Sequence, residues 1–138
     1  MINFHVEDTD FKLQQKLKLK NWLKSVLEAE GFVLGDINYV FCSDEYLLKI
    51  NVEYLDHDYL TDIITFDNSE DEELIEGDIF ISIDRVVDNA KTFRVSTEHE
   101  LRRVLVHGVL HLCGYLDKTD EEEKLMREKE NHYLQLFL

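Results

Sequence analysis

A chain of 138 residues, 44% of them hydrophobic, is one domain by length with enough apolar material for an ordinary core, and it holds no run of the ~18 apolar residues that a membrane-spanning helix needs. Fifteen basic against thirty acidic residues give a formal net charge of −15, the reverse of the basic field with which most nucleic-acid binders attract phosphate. The first residues, Met1-Ile2-Asn3-Phe4-His5-Val6-Glu7, lack the basic-then-apolar pattern of a secretion signal, and Cys42 and Cys113 stand far apart outside any Cys-x-x-Cys pattern, so a cytoplasmic protein without a disulfide framework is expected.

Residues 2–6 alternate and predict a strand. Over residues 10–29, Phe11, Leu13, Leu17, Trp22, Leu23 and Val26 recur at mostly helical spacing and predict a helix that Gly31 ends. Residues 37–42 are apolar and aromatic enough for a strand, and Ser43 suits the N-cap of a helix running to about residue 54. Residues 62–66 and 77–83 predict two more strands, and the short acidic loop between them favours an antiparallel hairpin. Residues 84–93 predict a helix. Thr97 with Glu100 has capping-box spacing for the next helix, and Thr119 with Glu122 repeats it for a last helix toward residue 137. No repeat, proline or linker divides the chain. The expected fold is a single α/β (α+β) domain over residues 1–138: a mixed sheet of about four strands with helices packed on it, the helix after Thr97 being central.

The chemistry lies in the run His107-Gly108-Val109-Leu110-His111-Leu112-Cys113-Gly114-Tyr115-Leu116-Asp117. Side chains at i and i+4 of a helix share a face with Cβ atoms about 5–6 Å apart, so His107 and His111 can hold one ion between them. A third ligand must come from outside the helix. Gly114, free to adopt positive φ, can end the helix and turn the chain so that Asp117 returns toward the imidazoles. Two nitrogens and one oxygen leave a coordination position for water, as in a catalytic zinc and unlike a closed structural site.

A His-x-x-x-His pair alone occurs by chance on many helices, its imidazoles satisfied by hydrogen bonds. Here Val104, Leu105, Val106, Val109, Leu110 and Leu112 describe a buried helix, in which an unpaired imidazole costs about 1–3 kcal/mol; a metal or dedicated acceptors are therefore required. The expected site is His107, His111 and Asp117 around one zinc ion, with another divalent metal as the alternative. In H-E-x-x-H peptidases the glutamate after the first histidine is the general base. Gly108 stands there, which argues against proteolysis. Spacing does not bring Asp62, Asp78 or Glu98 to the metal, and no general base is assigned. His5, His57, His99 and His132 lie outside the ligand spacing and are read as surface or half-buried residues.

The run 107–117 resembles the H-G-x-L-H-L-x-G-Y-D-H signature of the bacterial YbeY family, rRNA maturation factors regarded as metal-dependent endoribonucleases. Asn51, Tyr54, Thr61, Asp62, Ile63, Thr65 and Phe66 are similar to the family's N-x-x-Y-R and T-D-V-L-S-F block, and residues 77–82 to its G-D-I-x-I-S strand; nearly the whole chain from residue 38 onward fits. The resemblance implies a metal-dependent endoribonuclease of single-stranded rRNA, working in ribosome biogenesis with the small ribosomal subunit or a basic ribosomal protein as partner. Two alternatives stand beside it: an assembly factor with a structural metal and little catalysis, and a metal hydrolase of another substrate.

Two departures matter. Asp117 takes the place of the family's third histidine, with Leu116 before it, which makes the ion a weaker Lewis acid and the site less selective among divalent metals. Leu55 takes the place of an arginine after the tyrosine, where a guanidinium would suit a phosphate. Lys49, Arg85, Lys91 and Arg94 are candidate replacements, with His57 as a further one at lower pH. Positive charge also clusters at Lys12, Lys16, Lys18, Lys20 and Lys24 and at Arg102 and Arg103, although such residues more often solvate helix faces. The acidic body favours a basic protein partner and weak affinity for free RNA.

Overall fold

The computed structural model describes residues 1–137. Along the chain run β1 (Ile2–Val6), α1 (Lys16–Ala29), β2 (Val33–Cys42), α2 (Asp44–Leu55), β3 (Ile63–Asp67), β4 (Leu74–Ser82), α3 (Ile83–Phe93), α4 (Thr97–Leu112) and α5 (Asp120–Gln135). The strands make one mixed sheet of four, as expected from the sequence, in the order β1-β2-β4-β3. β2 lies parallel to β1 and to β4, and β3 and β4 form the antiparallel hairpin.

Alternation assigns the two faces of the sheet. Ile37, Tyr39, Phe41, Ile79 and Ile81 point inward and are fully buried with Leu23 and Val26 of α1 and Leu105, Val109 and Leu110 of α4. Each such side chain contributes about 1.5–3 kcal/mol by leaving water. The opposite face is covered by α2, where Leu47 and Ile50 pack with Cys42 and Ile64. Hence α4 is central to the larger core, as expected. It lies so close to the sheet that a Cβ on Gly108 would stand 3.0 Å from Cδ1 of Ile79 and 3.2 Å from Cδ1 of Ile63. A Cβ at that position would need these isoleucines to give by a few tenths of an ångström.

Several boundaries differ from expectation. The first helix begins at Lys16 instead of residue 10, after Gln15 at φ 57°. Phe11 and Leu13 are two apart, a spacing that shares a face in extended chain and not in a helix. They pack on the core from outside α1, with Phe11 edge-on to Phe41 at 5.2 Å. β2 starts at Val33 and β4 at Leu74, because these earlier residues pair with each other before the irregularity between Leu34 and Ile37. The cap of α4 is Ser96, whose hydroxyl accepts from His99 N at 3.0 Å, so the expected Thr97–Glu100 box does not form and Glu100 turns inward. The other caps form where expected: Ser43 accepts from Tyr46 N, and Thr119 and Glu122 close a capping box. Cys42 and Cys113 are free thiols. No helix among the described residues is long and apolar enough to cross a membrane.

Candidate metal centre

His107 and His111 leave α4 side by side, their rings within 7° of parallel and 6.3 Å between centroids. The helix then stops at Gly114, whose φ is +108°. Gly114 N–H donates to the His111 carbonyl at 3.0 Å and Tyr115 N–H to that of Leu110 at 3.1 Å. This paired closure is the glycine-dependent helix end known as the Schellman motif, and it turns the chain sharply. Two residues beyond Tyr115, Asp117 Oδ2 comes to 3.2 Å from Nε2 of His107.

Each imidazole is held by its Nδ1. His111 Nδ1 lies 3.0 Å from the carbonyl oxygen of Tyr115, and His107 Nδ1 lies 2.7 Å from Oε2 of Glu130. A carbonyl can only accept, so a neutral His111 carries its proton on Nδ1 and presents a bare Nε2 lone pair. A carboxylate imposes the same tautomer on His107. Metal-ligating histidines usually donate their other ring N–H to a carbonyl or carboxylate in this way, which fixes tautomer and ring orientation. Two ligands about 2.1 Å from one tetrahedral ion stand roughly 3.4 Å apart, close to the separation of His107 Nε2 and Asp117 Oδ2. The donor set thus fits a divalent ion in chemistry, and in position for two of its three members. His111 stands one helical turn along, and among the described residues no three His, Cys, Asp or Glu side chains are gathered as a ready-made cage.

A cleft of about 590 Å³ opens beside His107 and Asp117, between α4, α5, the end of α3 and the start of β3. Glu130 is almost wholly buried in its wall, 5% exposed, and its Oε1 accepts from Arg103 Nη1 at 2.9 Å. Burial would raise the pKa of Glu130, but the hydrogen bonds from His107 and Arg103 outweigh it and hold it below the ordinary value. For His107 burial works downward, and the bond to Glu130 with the fields of Glu130, Asp117 and Asp62 carries it upward. Asp62 and Glu100, also in the lining, are both raised by burial, against the opposing fields of His107 and Arg103 respectively.

Spacing did not single out Glu130 or its link to Arg103. The signal lay in α5, where Met126, Glu130 and Tyr133 form the buried stripe at helical spacing, so a carboxylate occupied an apolar position and needed a partner. Of the carboxylates left unplaced by the sequence, Asp62 reaches the cleft. Asp78 lies on the outer sheet face, bonded to Asn38 and Asn68, and Glu98 is exposed in the first turn of α4.

None of the expected arginine substitutes lines the cleft. Lys49 is on α2 across the sheet, Arg85 is held by Asp44 at 3.0 Å and Asp88 at 2.7 Å, Lys91 is exposed on α3, and Arg94 forms the left-handed end of that helix. His57 stacks on Tyr59 at 5.1 Å between centroids. The cations that do line the cleft are Arg103, Lys124 and Arg127.

The family described as Endoribonuclease YbeY matches this sequence over residues 2–137. Among curated proteins, the Endoribonuclease YbeY of Flavobacterium johnsoniae is 56% identical over 137 residues, 99% of this chain and 97% of that protein. That of Cytophaga hutchinsonii is 54% identical over 135 residues, covering 98% and 94%. The solution structure of TM1509 from Thermotoga maritima has the same fold, with a TM-score of 0.69 and 28% identity over 99% of this chain and 89% of that one.

Proposed function

This chain belongs to the YbeY family of endoribonucleases, and from that premise we propose that it cuts single-stranded rRNA during ribosome maturation with a divalent ion, zinc first, held by His107, His111 and Asp117. The observation that carries the metal is the orientation of the two imidazoles: the Glu130 carboxylate and the Tyr115 carbonyl each hold an Nδ1, which leaves the Nε2 atom of each ring as the one to meet an ion, that of His107 standing 3.2 Å from Asp117 Oδ2. His107, His111 and Asp117 would hold the ion, which would supply Lewis acidity toward a phosphoryl oxygen and a more acidic water.

The chain's own residues do the rest. Glu130 fixes the tilt of His107, Arg103 fixes Glu130, and the turn at Gly114 delivers Asp117. The cleft beside them is lined by side chains from four elements and suits an unpaired strand, whose bases can splay out of the stack. A cytoplasmic site of action beside the small ribosomal subunit, or a basic ribosomal protein, agrees with the substrate and with the net charge of −15.

A second reading, an assembly factor whose metal serves stability with little catalysis, is favoured by Leu55 in place of the family arginine. Measuring bound metal and cleavage of single-stranded RNA for the parent protein, Asp117→Ala and His111→Ala ranks the two. Under the nuclease reading, metal content and cleavage fall together in both variants. Cleavage that survives metal loss, with contaminating nuclease excluded, rejects it. A metal-dependent melting temperature without cleavage favours the assembly factor.

A further inference from the structure

Phe93, the last residue of α3, is 56% exposed although it is a large apolar ring. It lines the cleft beside His107 and also a smaller cleft of about 220 Å³ that continues from it. Glu100, Arg103 and Arg127 line both as well, so these side chains mark the junction. Asp62, Asp117, Asp120, Glu123 and Glu130 line the larger cleft alone, with Lys124, and Glu100 is the one carboxylate lining the smaller, among the described residues. Carboxylates therefore predominate beside His107 and Asp117, and the two arginines and the aromatic ring stand where the clefts meet.

The two arginines differ in what they hold. Arg103 is committed, with Nη1 on Glu130 at 2.9 Å and Nη2 on Asn131 at 2.8 Å. Arg127 touches Glu130 only loosely, at 3.7 Å, its side chain is 54% exposed, and among the described residues it makes no other ion pair. A free guanidinium beside an exposed aromatic face is the pairing that binds one nucleotide of an unpaired strand. The base stacks on the ring, and the phosphate takes charge-assisted hydrogen bonds.

We propose that Arg127 and Phe93 form a nucleotide subsite at this junction, in which Arg127 takes an RNA backbone phosphate, the contact that Leu55 cannot make, and Phe93 stacks the adjoining base. The subsite deepens the endoribonuclease reading and rests on it. It places the strand across the groove from α3 to α5, with a neighbouring phosphate directed toward His107 and Asp117.

The test is fluorescence anisotropy of a labelled single-stranded oligoribonucleotide over a salt series, read beside cleavage rates and metal content. Arg127→Ala is expected to weaken binding and to reduce the slope of log K against log salt by about 0.7, the share of one phosphate contact on a single strand. Phe93→Ala is expected to weaken binding about 5- to 150-fold with the slope unchanged, and Phe93→Tyr to restore it. Both changes should raise KM more than they lower kcat and leave metal content intact. Lys49→Ala, a cation across the sheet, should keep the parent's affinity and slope.

If the parent binds and cuts RNA while Arg127→Ala and Phe93→Ala bind as it does, the subsite is wrong and the endoribonuclease reading stands. If the parent neither binds nor cuts RNA, that reading falls and takes the subsite with it.

Discussion

Glu130 on α5 places Oε2 2.7 Å from Nδ1 of His107 on α4, while its other oxygen takes Arg103 at 2.9 Å. One buried carboxylate thus orients a proposed metal ligand and neutralises a mostly buried arginine. Removing it with Glu130→Ala should cost about 3–5 kcal/mol in denaturant unfolding, because two groups lose their partner inside the protein. Glu130→Gln keeps the shape and an acceptor for Nδ1–H and should cost less. Its zinc affinity in a chelator competition is expected to fall about 10- to 100-fold. An affinity equal to the parent's would show that His107 does not depend on this bond.

Gly114 ends α4 at a φ that L side chains rarely adopt, with open space where a Cβ would be. Gly114→Ala should therefore act through backbone strain alone, lowering stability by roughly 1–2 kcal/mol. Because the same turn delivers Asp117 to His107, metal affinity should fall more than stability does. Isothermal titration with zinc, read beside thermal melting, separates the two effects.

Exchanging the oxygen ligand for nitrogen tests its role directly. Asp117→His should raise the preference for zinc over manganese or magnesium, since imidazole is the softer donor, and Asp117→Ala should weaken all three. Competition among the metals, followed by metal analysis of the protein, reads the order. An unchanged order in Asp117→His would place the carboxylate outside the coordination sphere.

Glu30, at the end of α1, receives hydrogen bonds from the hydroxyls of Tyr115 and Tyr133 and lies 3.3 Å from Lys129 Nζ. Burial acts to raise its pKa, but these partners outweigh it and hold it below its ordinary value of 4.5. A carboxyl whose folded pKa is depressed adds stability that is fully present above the unfolded value and disappears as pH falls through the folded one. Glu30→Gln should therefore be about 1–3 kcal/mol less stable than the parent at neutral pH, with the gap closing below pH 4.5. Melting curves of both proteins across the acid range check this. A gap independent of pH would mean that the charge of the Glu30 carboxylate is not its source.

The sequence by itself determined whatever depends on a few neighbouring residues. The alternation of β1, the caps at Ser43 and Thr119, the β3–β4 hairpin, the i,i+4 histidines and the glycine turn toward Asp117 are all set by backbone geometry within about one or two helical turns. The family resemblance was legible for the same reason, since its signature is one short run of residues 107–117. Tertiary structure decided the partners that lie far apart in the chain. Glu130 is 23 residues from the histidine it orients, and Phe93, Arg103 and Arg127 meet only where α3, α4 and α5 converge. Spacing along one helix says which side chains share its face; which residues that face meets depends on how helices and sheet bury their apolar surfaces against one another, and that is a property of the packed whole.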